Sequence, residues 1–515
     1  EDHTSSDAER RLGRFTSMAV RASQVASFIR PEIMAIPDST MRRFLTSKEL
    51  ADYATLLHRL LRYKAHTLSD KEERLLAMQG EMAQTAQKAF NQLLDSDLKF
   101  GAVRDDKGRE IELSNSTFMQ FLISPDRNVR KTAFFQYYKQ FQGHENALAA
   151  ILNGSMQGDV YYARARGYSS ALDAALFPDR VPRSVYENLL TTVRKHLPSV
   201  HHFYEVRRRK MRIKDIHHYD TYVPILSDLE KRHTWKQAVD VILKALQPLG
   251  SEYCGVLEKG LRGRWCDRYP NQGKHSGAFS SGCYDSEPYI LMNYKPEVFG
   301  DVLTLAHEAG HSMHTHLSSK HQPYQYSQYT IFVAEVASTF NEELVIRHLL
   351  KTTDDKRERA YLINRKIDDI RATIVRQTMF AEFEKLAHER IEAGEPLTVQ
   401  TVREIYRGLL DAYFGPDFVV DKELELECLR IPHFYRAFYV YKYATGLAAA
   451  ISLSQRVLEG GEQELRDYLN FLQGGCSEFP LDLLRGAGVD MESPAPIDTA
   501  LRYFDSLVKE LDELL

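Results

Sequence analysis

The stretch "LTLAHEAGHSMHTH" at 303–316 constrains the fold more than any other segment, because it packs four histidines and one glutamate into ten positions. His307 and His311 lie four residues apart. On an α-helix they share one face, about one 5.4 Å turn apart, and two ring nitrogens can converge on a single ion. Glu308 then stands beside the ion rather than on it, where it can hold the attacking water. The flanks suit a helix: "FGDVLTLAHEAGHSMHTHLSSK" is apolar on one side, with Asp301 near its start. His314 shares the face at i+7, but two turns span ~10 Å, too far for bonds of ~2 Å to one ion. Met313, His314 and Thr315 provide no helix break, so His314 is expected to pack or hydrogen-bond, and His316 to lie at the surface. The third ligand must come from another segment.

Glu335, in "FVAEVASTFNEELV", is the candidate. The segment is a predominantly apolar helix pattern into which one carboxylate intrudes, and a buried carboxylate calls for a partner such as a cation. It follows His311 by 24 residues, enough for one helix to end, a loop to cross and a second helix to pack back. Glu342, two turns on, is placed to orient a histidine ligand. Spacing alone leaves Glu335 open between metal ligand and ordinary helix-surface glutamate. An HExxH match also arises by chance on solvated helices. This one sits on a helix pattern, after a small sheet and before an acidic partner, and that context points to zinc.

The surrounding chain reads as mainly α. Helical spacing of apolar residues runs through "LTSKELADYATLLHRLLRYKAHTL", with Ser47 as N-cap, and through "SDKEERLLAMQGEMAQTAQKAFNQLL", opened by Ser69 and Asp70. A hairpin is expected at 98–113, "LKFGAV" and "REIELS" flanking "RDDKG". Helix then dominates 113–212. Between 213 and 295, "HHYDTYVPI", "GAFSSGCY" and "PYILMNY" read as short strands forming one small sheet ahead of the histidine helix. Helices resume at 296, including 359–394. The strand around "PYILMNY" is expected at the sheet edge, offering free backbone groups to an extended peptide, with Gly277 and Gly282 permitting close approach.

Composition excludes several classes. A length of 515 residues, 43% hydrophobic and 27% charged, suits a large soluble protein of more than one lobe. A net charge of −4 gives no reason to expect nucleic acid or an anionic membrane, and the basic run "VRRRKMRIK" at 206–214 reads as a solvated face. No apolar run approaches the ~20 residues of a membrane span. Five scattered cysteines without a CxxC motif suggest reduced thiols in the cytoplasm, with Cys283 a packing residue. The polar start "EDHTSSDAERR" is not a signal peptide and lacks an initiator methionine, so an upstream piece or a cleaved leader stays open.

"HEAGHSMH" and "FVAEVASTFNE" resemble the metal helix and glutamate helix of the oligoendopeptidase F family, within the thimet-oligopeptidase type of zinc peptidases. "GKHSGAFSSGCYDSEPYILMNY", "IPHFYRAFYVYKYATGLAAA" and "GGCSEFPLDLLRGAGVDM" are similar to its other motifs. The resemblance implies a two-lobed helical clamshell with a deep central channel, a helical N-terminal domain at 1–112 and a catalytic domain at 113–515. It implies one Zn2+ per chain on His307, His311 and Glu335, Glu308 as base, and hydrolysis of internal bonds in short unfolded oligopeptides. Tyr435, Tyr439 and Tyr443 recur at i, i+4 and i+8, a helical stripe that aromatic packing alone would explain. The family places a histidine and tyrosines near the zinc in this segment, which favours His433 and Tyr439 as transition-state donors, with Tyr435, Tyr441 and Tyr443 as alternates. Competing readings are a helical zinc carboxypeptidase, a peptide-binding scaffold with a structural metal, and a metal-free helical adaptor. A closed structural site normally uses four protein ligands, which argues against the scaffold.

Overall fold

A computed structural model describes residues 5–226 and 231–515, so the first four residues of the polar start lie outside it. Helix makes up 71% of the structure and strand 4%, so the core is built of helix on helix. Five helices carry the argument: α1 (Arg183–Lys210), α2 (Gly300–His321), α3 (Ile331–Thr352), α4 (Arg376–Glu392) and α5 (Tyr441–Glu459). The short strands are β1 (Ala102–Arg104), β2 (Glu110–Glu112), β3 (Ile216–His217), β4 (Cys266–Asp267), β5 (Phe279–Ser281), β6 (Tyr289–Leu291) and β7 (Phe418–Val419). The chain divides into two compact units of interleaved segments. The first joins Glu1–Asp70, Lys231–Val345 and Val457–Ala487; the second joins Lys71–Glu230, Ile346–Arg456 and Gly488–Leu515.

In the first unit α2 is the centre. Ser312 on α2 meets Ser280 of β5 at 2.8 Å between hydroxyl oxygens. On another side Asn341 of α3 donates to the Ala306 carbonyl, and Tyr253 donates to Asn341. Phe340 of α3 stacks on Tyr468 with ring centres 3.9 Å apart. Leu305, Ala306, Ala309 and Met313 are fully buried, so the apolar face read from the sequence is the packed face.

The second unit is organised on α1, which docks along Ala495–Leu514. His196, Ser199 and His202 pair with Asp498, Asp505 and Asp512 of that helix, partners recurring at helical spacing. Burial of Arg207 corrects the reading of 206–214 as a solvated face. It is 1% exposed and donates to the carbonyls of Asp220 and Val223, since a guanidinium can cap irregular backbone where no water reaches.

The hairpin forms as expected, pairing Ala102 with Glu112 and Arg104 with Glu110. The helices at 48–92 form as short pieces, with 3₁₀ turns at Lys48–Tyr53 and Tyr63–His66 and a break before Gly80. Strand content differs from expectation. Among the described residues the strands form the β1–β2 hairpin and, where one sheet was expected, two: a parallel β3–β7 pair, and the order β4–β6–β5 ahead of α2. "HHYDTYVPI" keeps only His217 in a strand, and helices at Trp235–Ala245 and Gly250–Arg262 occupy much of the interval. The strand in "PYILMNY" is central, because Cys266–Asp267 pairs along its outer side. A two-residue strand leaves no periodicity to read. The free edge beside α2 belongs to β5.

Candidate metal centre

α2 and α3 cross where α2 carries Gly310. A Cβ there would stand 2.5 Å from the Ala337 carbonyl oxygen and 2.6 Å from the Ser338 Cα. The missing side chain lets the two backbones touch and brings Glu335 level with the two histidines. Sequence reasoning passed over Gly310. Its signal was a glycine inside a helix pattern, which costs helix stability unless something must come close.

The three predicted ligands meet. His307 Nε2 and His311 Nε2 lie 3.2 Å apart, and Glu335 Oε2 is 3.3 Å and 3.6 Å from them. Ligand atoms at ~2.05 Å from a tetrahedral zinc stand about 3.3 Å from one another, so this triangle fits the ion's coordination edge. Among the described residues this is the cluster of histidine, cysteine and carboxylate groups able to hold a metal.

Each ring is oriented from behind. His307 Nδ1 donates to Glu342 at 2.6 Å, as the sequence placed it. The Ala334 carbonyl accepts from the His311 ring. Those bonds hold both rings with their Nε2 atoms toward one point. Ser338 donates to Glu335 Oε2 at 3.2 Å.

The electrostatics favour a cation. Burial alone would lower His307, but hydrogen bonds to Glu335 and Glu342 outweigh it and hold the imidazole up at about 10. Burial and the neighbouring His307 push His311 down to about 4. The His307 hydrogen bond draws Glu335 below the ordinary carboxylate range. One ring thus holds its proton tightly against two carboxylates, a place a divalent ion takes by displacing that proton. Glu308 is buried beside the triangle without joining it. Burial raises its carboxyl, and the Ser280 backbone N–H of β5 pulls the other way.

His314 is fully buried and stacks flat on Tyr329 at 3.6 Å between ring centres, a packing role. His316 is half-buried between Trp265 and Glu287 rather than at the open surface, because the sheet covers that end of α2.

The second unit holds the aromatic segment, and here the helical stripe fails. Residues Pro432–Tyr435 form a 3₁₀ turn and α5 begins only at Tyr441. Phe438 between them has φ 52°, a left-handed conformation that breaks any helix. Tyr435 stacks on Phe90 at 4.3 Å, and Tyr441 packs on Tyr186. His433, Tyr439 and Tyr443 form one cluster instead. Tyr439 lies parallel to the imidazole at 6.1 Å, and the Tyr443 hydroxyl is 3.5 Å from His433 Nε2. Arg436 caps the Tyr439 ring at 4.1 Å.

Comparison with known proteins gives the family. The model of peptidase family M3 matches residues 120–503, and that of an oligopeptidase F domain matches 32–100. Oligopeptidase PepF of Bacillus subtilis is 42% identical over 500 residues, covering 97% of this chain and 74% of its own length. A solved structure from Chlamydophila abortus superposes with a TM-score of 0.95 at 38% identity, covering 100% of this chain and 86% of that one. The oligoendopeptidase F structure from Enterococcus faecium gives 0.80 at 32%, covering 99% and 87%. With a family model over 120–503 and curated relatives at up to 42% identity over most of the chain, the protein belongs to peptidase family M3, in its oligoendopeptidase F branch, and is a metalloendopeptidase.

Proposed function

We propose that the chain is a zinc-dependent endopeptidase cutting internal bonds of short unfolded oligopeptides. The ligand triangle carries the reading: two imidazole nitrogens and one carboxylate oxygen at 3.2, 3.3 and 3.6 Å, each ring held from behind. His307, His311 and Glu335 would hold one zinc per chain. When bound, such an ion with three protein ligands lowers the pKa of water at its open position toward ~7 and polarises a carbonyl.

Glu308 acts as the base. Its raised carboxyl suits taking a proton from the attacking water and passing it to the leaving amine. His433 and Tyr439 donate to the oxyanion, with Tyr443 as alternate, an assignment supported by the family likeness and by their clustering. The free edge of β5, whose Ser280 N–H reaches Glu308, offers backbone groups to an extended peptide, so selection rests on main chain more than on side chains. Gly282 supports close approach there, since a Cβ would meet Thr315 at 2.7 Å.

The separate family matches at 32–100 and 120–503 support a functional division near 112/113. Five free cysteines fit a reducing compartment, and we place the enzyme in the cytoplasm with oligopeptides as its partners. Among the described residues no helix is long and apolar enough to cross a membrane. Product mapping by mass spectrometry on a peptide mixture tests the reading. Native protein should cut internal bonds, and Glu308→Gln should keep stoichiometric zinc while losing at least about 100-fold in rate. Equal cleavage by Glu308→Gln would remove Glu308 as the base.

A further inference from the structure

The segment that carries His433, Tyr439 and Tyr443 is irregular, yet its shape is fixed. Its turning point is Phe438, a bulky residue with φ 52°, which L side chains seldom adopt without support. The support comes from α4. Glu384 is fully buried, and its Oε1 accepts the Phe438 backbone N–H at 2.8 Å. The Phe438 ring is 2% exposed, lying against His388 at 4.5 Å and edge-on to Tyr186 at 5.9 Å. His388 is itself tied to α4 through the Glu384 carbonyl, its Nδ1 donating at 2.8 Å.

Among the described residues no cationic side chain pairs with Glu384. Its Oε2 is buried and has no hydrogen-bond partner among the described residues. An ionised carboxylate there would be uncompensated. Burial accordingly raises the carboxyl far above its ordinary range; the Phe438 N–H opposes this and nearby Asp159 adds to it. Among the described residues its one directed side-chain contact is the strained turn. A buried carboxyl in a helical core costs stability relative to leucine, and the contact with the Phe438 N–H is what offsets that cost here.

We infer that Glu384 is a positioning residue for peptide hydrolysis: by accepting the Phe438 N–H it holds the left-handed turn that sets His433 and Tyr439 in one cluster. The inference rests on the proposed donor role of those two residues. Tyr439 directly follows the pinned residue, so a relaxed φ at 438 rotates the phenol away from the imidazole it parallels.

The test compares kcat and KM on an internally quenched peptide for Glu384→Gln, Glu384→Asp and Glu384→Leu, with zinc content and melting curves for each. A glutamine keeps an acceptor oxygen at the same reach, and should stay within about 3-fold of native. Glu384→Leu fills the volume without an acceptor, and should lose at least about 10-fold in kcat with KM nearly unchanged and zinc stoichiometric. Glu384→Asp, which shortens the reach, should fall between, and serves if Glu384→Leu does not fold. Tyr439→Phe should cost about 10- to 100-fold in the native background, and less than about 3-fold on top of Glu384→Leu, because the turn has already released the phenol. Native kcat in Glu384→Leu and Glu384→Asp while Tyr439→Phe is impaired would overturn this inference alone. Full activity in both Tyr439→Phe and His433→Ala would overturn the donor reading and this inference with it.

Discussion

Glu342 shows how a residue outside the ligand set controls it. Its carboxylate accepts a hydrogen bond from His307 Nδ1 at 2.6 Å, which turns Nε2 toward the other two candidate ligands. Glu342→Ala should weaken zinc binding by about 10- to 100-fold, read by competition with a chelating dye, while leaving the melting curve of zinc-saturated protein close to native. An unchanged zinc affinity would mean that the ring needs no orienting partner. This residue, with both histidines and Glu308, was readable from spacing, because helix geometry converts i, i+4 and two-turn offsets directly into shared faces; spacing left Glu335 open, and the family resemblance favoured it. Tyr435 and Tyr441 were not separable from Tyr439 on the same grounds. Their spacing assumed a continuous helix, and one left-handed residue at 438 turned each phenol into a different environment.

At the scale of elements, the crossing of α2 and α3 decides whether the centre exists. Gly310→Ala places a methyl within 2.6 Å of the α3 backbone, and backbone cannot step aside as a side-chain tip can. The variant should fold but bind zinc at least about 10-fold more weakly, since a displacement of about 1 Å takes Glu335 off the triangle. Retained stoichiometric zinc at native affinity would show that the crossing tolerates separation. The sheet beside α2 illustrates what pattern reading misses. β6 has the β-branched and aromatic content of a strand, but edge and centre are set by β4, two residues long, and by partners remote in sequence. Register and neighbour identity are properties of the packed chain, and no local signal carries them.

Across the whole molecule, buried charge couples stability to pH. In the second unit Asp220 accepts from Arg127 and Arg130, and Glu427 from Arg376, Tyr406 and Arg430, all around His218. Burial drives His218 down to about 3, whereas an unfolded histidine titrates near ~6.5. Unfolding therefore takes up a proton between those values. The stability this neutral ring contributes is complete above about pH 6.5 and is lost as pH falls toward 3. Thermal melting between pH 4 and 8 should show Tm falling below about pH 6.5, and His218→Phe should flatten that slope. A slope identical to native would place the titration elsewhere. The helical architecture was legible because amphipathic periodicity repeats over hundreds of residues. The division into two interleaved units was not, since the chain crosses between them without a linker of distinct composition. The metal is the decisive feature of the molecule, and anomalous diffraction at the zinc edge, with zinc content for native protein and Glu335→Ala, tests it most directly. One zinc bonded to His307, His311 and Glu335, with occupancy lost in Glu335→Ala after dialysis against weak chelator, is the predicted result. No anomalous peak between those side chains, or full zinc retention without Glu335, would contradict it.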